Sequence, residues 1–299
     1  MLHQPNGTGT SFPRRLWSVS WKLVLFVGLF LALYIPFVLP FILYPETEYE
    51  TIATARGRMV IELLAMVTLV LAALAMTRYA DRVSMTRVGF SPRRVVKDFA
   101  LGTAAGSLWL FVLIGVLAVL GFVKAGGGPG PLNRELGWVT LAMLFNTVQQ
   151  ETLIHGYVQQ MVRANFGSHA GVIVSSVLFV LLHWTLLKLD ALLLLANLFV
   201  IGMLLGYVFL YSRSLWLPIG AHFGWNYAMG PLLGLPVTSI DLWASDLVQI
   251  GGPKLWTGGA LGVEGGIGAS ALLLPPAVWM YLAWRRKMLK EPELESSFS

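Results

Sequence analysis

The feature that most constrains this chain is a series of long apolar runs broken by short polar punctuation. A helix needs about 20 apolar residues to cross a bilayer. Eight stretches qualify: 22–44, 59–79, 99–123, 138–161, 171–188, 191–211, 215–234 and 268–285. Hydrophobic residues make up 56% of the 299 and charged residues 12%, against about 25% charged in a soluble domain. The expected fold is therefore all-α: a polytopic membrane bundle of about eight transmembrane helices, placed in the cell membrane as a multi-pass protein. Lys188-Leu189-Asp190 alone separate the fifth and sixth spans, which predicts a tight antiparallel hairpin.

Charge sets orientation. With the N-terminus cytoplasmic, most of the 21 Lys and Arg fall on the inner side, including Arg14, Arg15 and Lys22, the cluster from Arg78 to Lys97, and Arg285, Arg286, Lys287 and Lys290. The acidic residues Glu46, Glu48, Glu50, Asp241 and Asp246 fall outside. The positive-inside rule then predicts N-in and C-in termini. The same distribution accounts for the net charge of +6 without nucleic acid as a partner. The first apolar run is too long for a signal h-region and no small-residue cleavage pattern follows it, so it reads as a tail plus a span. The basic segment 80–98 reads as a solvated loop that sets orientation, in preference to a headgroup-binding element. Residues 235–267 read as a long outer loop, with glycine pairs at 251–252, 258–259 and 265–266. Beyond the Ser-rich end, Ser296-Ser297-Phe298-Ser299, there is neither low complexity nor an internal repeat. Organisation follows as 1–94 (tail, two spans and the basic loop), 95–286 (a membrane domain holding the remaining spans) and 287–299 (a cytoplasmic tail).

One span departs from the rest. The stretch NTVQQETLIHGYVQQ, residues 146–160, puts amides, an acid and an imidazole where hydrocarbon should be, and polar groups in a membrane need partners or a task. As a helix it carries Thr147, Glu151, His155 and Gln159 on one i, i+4 stripe, with Asn146 and Gln150 on the next. Two other spans offer matching groups at the same spacing: Phe179 with His183, and His222 with Asn226. Absence of cysteine excludes disulfides, a thiolate nucleophile and Cys-ligated metal. HExxH and Gly-x-Ser-x-Gly settings are absent as well, and Asp190, Asp241 and Asp246 fall in predicted loops. What is left is a carboxylate with imidazole, able to deprotonate water, and His with Asn, able to donate to an oxyanion.

These residues resemble the CPBP family of intramembrane proteases, which includes type II CAAX prenyl endopeptidases and bacteriocin-processing or immunity proteins. The family motifs are EExxxR, FxxxH and HxxxN/D on separate helices. Here Phe179–His183 matches the second and His222–Asn226 the third, while the first reads Gln150-Glu151-Thr152-Leu153-Ile154-His155. The likeness spans about 95–235, and the segment Gly258–Gly266 around Glu264 is similar to a glycine-and-glutamate stretch of bacterial members. It implies a protease acting on a membrane-associated peptide or protein within the lipid bilayer. The resemblance implies water activation by His183 and an oxyanion hole of His222 and Asn226. Gln150 stands where the family has its first Glu, and His155 where it has Arg. Either Glu151 takes the base role with His183, supported by Gln150, His155 and Phe179, or the chain is an impaired relative that binds peptide as an immunity or scaffold protein. A transporter fits less well, since no inverted repeat or paired broken helices are seen. No cofactor is needed. The alternative is zinc held by Glu151, His155, His183 and His222, an oxygen-plus-three-nitrogen donor set. Glu264 reads as a solvated loop carboxylate in preference to part of a lid.

Overall fold

A computed structural model describes residues 11–44, 54–128, 134–238 and 246–291. Glu46, Glu48, Glu50, Asp241, the first ten residues and the Ser-rich end lie outside the described residues. The helices are α1 (Phe12–Leu43), α2 (Ala55–Ala75), α3 (Val95–Val119), α4 (Arg134–Glu151), α5 (Gln159–Phe166), α6 (Ser168–Leu182), α7 (Leu192–Ser212), α8 (Trp216–Tyr227) and α9 (Ile267–Lys290). Single π-helical stretches extend α2 over Met76–Ala80 and α8 over Ala228–Leu232, and a third, Thr152–Val158, joins α4 to α5.

The chain forms the expected all-α membrane bundle. Five segments are long and apolar enough to cross a membrane: Phe12–Pro40, Ala55–Ala80, Pro92–Val119, Leu189–Ser212 and Ile267–Lys290. The other three expected spans coincide with helix but differ in kind. α6 is apolar and only 15 residues long. α4–α5 carries the polar stripes, and α8 is 12 residues before its π stretch begins. α1 starts ten residues before the predicted run. Pro13 at its first turn needs no N–H partner there, which lets the helix begin ahead of the apolar stretch. The outward faces of α1 and α3 expose large apolar side chains, such as Val24, Leu25, Leu101, Leu108 and Val119, as a surface bathed in hydrocarbon requires.

The basic segments expected on one side of the membrane meet at one end of the bundle. Lys22 pairs with Asp81 at 2.6 Å. Arg94 Nη1 donates to the Ser212 carbonyl at 2.7 Å, and Lys287 Nζ to that of Tyr211 at 3.0 Å. At the opposite end the structure differs from the expected loops. Val123–Gly128 (β1) and Asp246–Ile250 (β2) form an antiparallel ribbon, Val123 opposite Ile250 and Ala125 opposite Val248. Nothing in Lys-Ala-Gly-Gly-Gly favours a strand. The ribbon forms because α3 and the chain beyond α8 deliver the two segments side by side, and Gly126 lets them close: a Cβ there would lie 2.2 Å from the Asp246 carbonyl oxygen.

Two glycine pairs fix the position of α8. A Cβ at Gly102 or Gly106 of α3 would lie 2.2 or 2.0 Å from the carbonyls of Leu217 and Ala221, and one at Gly220 or Gly224 of α8 would lie 2.2 Å from those of Phe99 and Thr103. Backbones in this small-xxx-small crossing touch directly, the usual way membrane helices gain dispersion contact where lipid gives no hydrophobic drive. Ser107 Oγ adds a bond to the Gly224 carbonyl at 2.9 Å. Residues 222 and 226 are two positions on from the glycines, roughly the opposite side of the helix, so the crossing that clamps α8 also aims His222 and Asn226 away from α3. The main core, Leu110, Leu113, Leu117, Met143, Phe223, Met229 and Leu273, fills the space below. α1 and α2 pack on α4–α5 through Phe26, Leu69, Met76, Tyr157 and Met161, with Phe26 and Tyr157 stacked at 4.6 Å.

Candidate active site

α2, α4, α6, α7 and α8, with contributions from α3 and α9, line a cavity of about 660 Å³. Its walls include Leu182, Leu198, Ile201, Leu205, Val208 and Leu273. Its polar lining includes Arg58, Glu62, Asn146, Gln150, His183, His222, Asn226 and Glu264. Three spans thus bring their imidazoles and amides to one chamber, as the spacing predicts.

His183 caps α6. Its Nδ1 lies 2.9 Å from the Phe179 carbonyl oxygen. A carbonyl only accepts, so Nδ1 carries the proton and Nε2 is left as an acceptor. His222 Nδ1 lies 2.8 Å from Glu151 Oε1, and the carboxylate likewise holds the proton on Nδ1. Both rings line the cavity, so Nε2 is the nitrogen each has left to meet a substrate. Phe179, 1% exposed, stands edge-on to both rings, at 5.2 Å from His183 and 5.7 Å from His222. It acts as the spacer between them. Asn226 is half-buried on the cavity wall, and its side chain has no hydrogen bond to a described residue.

The first-motif helix behaves differently from the expectation. Thr147, Glu151, His155 and Gln159 are all 0% exposed, so the predicted stripe exists, but it is sealed within protein. Glu151 does not line the cavity. Its Oε1 serves His222, and its Oε2 has no hydrogen-bond partner. His155 Nε2 stands 3.8 Å from that oxygen, too far for a hydrogen bond. His155 Nδ1 instead meets Gln159 Oε1 at 2.7 Å, while Gln159 Nε2 donates to the Gly206 carbonyl at 3.2 Å. The π stretch starting at Thr152 explains the displacement. Its wider turn carries one more residue than an α-turn, so His155 no longer sits directly above Glu151. The pairing of Glu151 with His183 is not formed. It is Gln150 that shares the cavity with His183.

The four-donor metal set does not assemble either. Among the described residues, no three His, Asp or Glu side chains are arranged to hold a metal ion. The Nδ1 atoms of all three imidazoles are already engaged, by Gln159, Phe179 and Glu151.

Glu264 overturns its reading as a solvated carboxylate. It is 2% exposed. Trp225 Nε1 donates to Oε1 at 2.9 Å and the Thr238 amide to Oε2 at 3.0 Å. Asn197 Nδ2 donates to its backbone carbonyl at 2.7 Å, and Ser270 Oγ holds Asn197 Oδ1 at 2.7 Å. This loop lies outside the spanning helices, and burial pushes the Glu264 carboxyl above the ordinary carboxylate range, against the pull of the two N–H donors. The loop folds inward because its glycines permit it. Gly258 has φ +76°, and a Cβ there would lie 1.8 Å from the Gly262 carbonyl oxygen. Sequence reasoning passed over Glu62, Asn197 and Trp225. The first two were visible as a lone acid and a lone amide inside otherwise apolar runs.

Residues 132–228 match the model of the family described as Rce1-like, type II CAAX prenyl endopeptidase. No curated protein and no solved structure matches the chain. The matched segment runs from the start of α4 to the end of α8 and contains all three motif helices. It therefore supports a CAAX-type intramembrane protease at the family level, and with it a membrane-associated peptide or protein as substrate. Over this segment, about a third of the chain, the protein is similar to the Rce1-like type II CAAX prenyl endopeptidases.

Proposed function

We propose that the chain is a multi-pass endopeptidase of the cell membrane that hydrolyses a membrane-associated peptide or protein without a metal. The observation that carries this reading is the pair of imidazoles on separate helices, each with Nδ1 held by an acceptor and Nε2 left for the same cavity. His183 Nε2 takes a proton from water as the water oxygen attacks the scissile carbonyl. The oxyanion receives hydrogen bonds from His222 Nε2–H and Asn226 Nδ2–H. With both its nitrogens protonated, His222 is positive, and Glu151 at 2.8 Å balances that charge where the dielectric is low. As the tetrahedral intermediate collapses, the C–N bond breaks and the proton on His183 passes to the leaving nitrogen. Glu151 is thus a positioning and charge-balancing group behind His222, and Gln150 orients the water from the cavity side.

A second reading has its own support. Gln150 occupies the cavity position where the family carries an acid, and the one acid of the motif, Glu151, is enclosed. The same chamber then binds peptide without cutting it. Purified protein in proteoliposomes, offered a prenylated CAAX-type peptide and followed by mass spectrometry, separates the two. Cleavage that His183→Ala abolishes supports the protease. Saturable binding of the intact peptide with no product refutes it in favour of the binding protein.

A further inference from the structure

Besides Glu264, the polar lining contains an acid that belongs to none of the three motifs. Glu62 lies on α2, half-buried on the cavity wall. Its Oε2 accepts from Asn146 Nδ2 at 3.1 Å and from Gln149 Nε2 as well. Asn146 Oδ1 in turn accepts from Gln150 Nε2 at 2.8 Å. Gln150 Oε1 is buried and has no partner among the described residues.

The direction of these bonds is dictated by chemistry. An ionised carboxylate has no proton to give, so both amides facing Glu62 must present N–H. That turns the Asn146 carbonyl oxygen towards Gln150. Gln150 must then present its own N–H to Asn146, which leaves Oε1 as its free end. A side-chain amide left alone can flip, at little cost, between offering oxygen and offering NH₂. Here its sense is set two residues away, by an acid on another helix.

We infer that Glu62 is a positioning residue for hydrolysis: through Asn146 it locks Gln150 with its enclosed, unpartnered Oε1 at the cavity wall, as the acceptor that orients the attacking water. This rests on the protease reading above. It explains how a glutamine serves at a motif position where an acid is expected. The site needs an acceptor there to align the water, and His183 Nε2 provides the proton acceptor. Glu62 supplies the negative charge that fixes the acceptor's sense, from outside the motifs and from the segment before the family match begins.

The test is a substitution cycle on full-length protein in proteoliposomes, with kcat and KM measured on a peptide that the wild type cleaves. Glu62→Gln removes the charge and keeps the shape. It should lower kcat about tenfold to a hundredfold, the scale of a misoriented reactant, with KM within about twofold. Asn146→Asp alone sets two carboxylates face to face and should lose more. Glu62→Gln with Asn146→Asp moves the charge one step along the relay, and the carboxylate introduced at position 146 again compels Gln150 to give its N–H. This double variant should recover kcat to within about threefold of wild type, which simple packing loss at Glu62 does not predict. Two results overturn the inference: unchanged kcat in Glu62→Gln, or a folded double variant no faster than Glu62→Gln. If the double variant does not fold, Glu62→Gln decides alone, through its kcat against KM. A wild type that cleaves nothing sinks the protease reading itself. An active wild type with an equally active Glu62→Gln sinks only the relay.

Discussion

Two polar stripes run side by side on α4, one residue apart, and they meet opposite environments. Glu151, with His155 and Gln159 below it, is sealed on every side. Asn146 and Gln150 line the cavity and reach across to Glu62. The pitch of the helix separates the two by about 100°, and that angle divides the labour. The sealed stripe holds a ring that works at the cavity, through the Glu151–His222 bond. The open stripe is itself available to substrate and water. Sealed groups should therefore show their loss in stability and activity together, and open groups in activity alone.

The largest effect tests the sealed side. Glu151→Ala leaves His222 Nδ1 without its acceptor in a dry interior and opens a void. Breaking a buried charged pair costs about 3–5 kcal/mol. We expect both a marked fall in the thermal midpoint in detergent and loss of cleavage. A variant with wild-type midpoint would show that the enclosure of Glu151 does not matter to the fold. Asn226→Ala comes next, on the open side. Removal of one oxyanion donor lowers kcat about 10²–10³-fold, and with no bond to a described residue to lose, the thermal midpoint should stay put. A midpoint that falls as far as in Glu151→Ala would erase the distinction. Gln150→Ala follows, with kcat down about tenfold to a hundredfold and stability lowered only by the loss of its one bond to Asn146, about 1 kcal/mol, by the same two measurements.

How much of this was legible in the chain depends on the range of the interaction. The stripes are local, and 3.6-residue periodicity gave both of them, down to the Asn146–Gln150 contact. The three motif helices were found the same way, and they do share a chamber. The partners were harder. Glu151 was expected to face His183, and it faces His222. That outcome depends on the π stretch after Glu151 and on the angle at which α8 is clamped, neither of which periodicity encodes. The clamp itself did leave a trace. Gly102 with Gly106 and Gly220 with Gly224 are paired at four-residue spacing, a pattern that a reading centred on polar groups passes over. The β ribbon left none, because Lys-Ala-Gly-Gly-Gly pairs only when the helices bring Asp246–Ile250 alongside. Glu62 could have been found by asking the question put to residues 146–160 of every acid in an apolar run.

Glu264 gives the finest test, because it has a foot in both camps: it lines the cavity and yet is 2% exposed, with both oxygens bonded. Glu264→Gln pulls in two directions. Both partners are N–H donors, so one of them must now face the NH₂ of the new amide. A buried donor left without its acceptor costs about 1–3 kcal/mol. Against this, the substitution removes a charge that burial disfavours. The two terms partly cancel, and the net loss of stability should stay at the lower end of that range. Cleavage should fall by no more than about threefold, since Asn197 holds the loop through the backbone carbonyl of residue 264, which the substitution leaves in place. That result assigns Glu264 to the sealed class, as a strut for the loop. A kcat loss as large as that of Gln150→Ala, at unchanged thermal midpoint, would move it to the open class and make its carboxylate part of the chemistry.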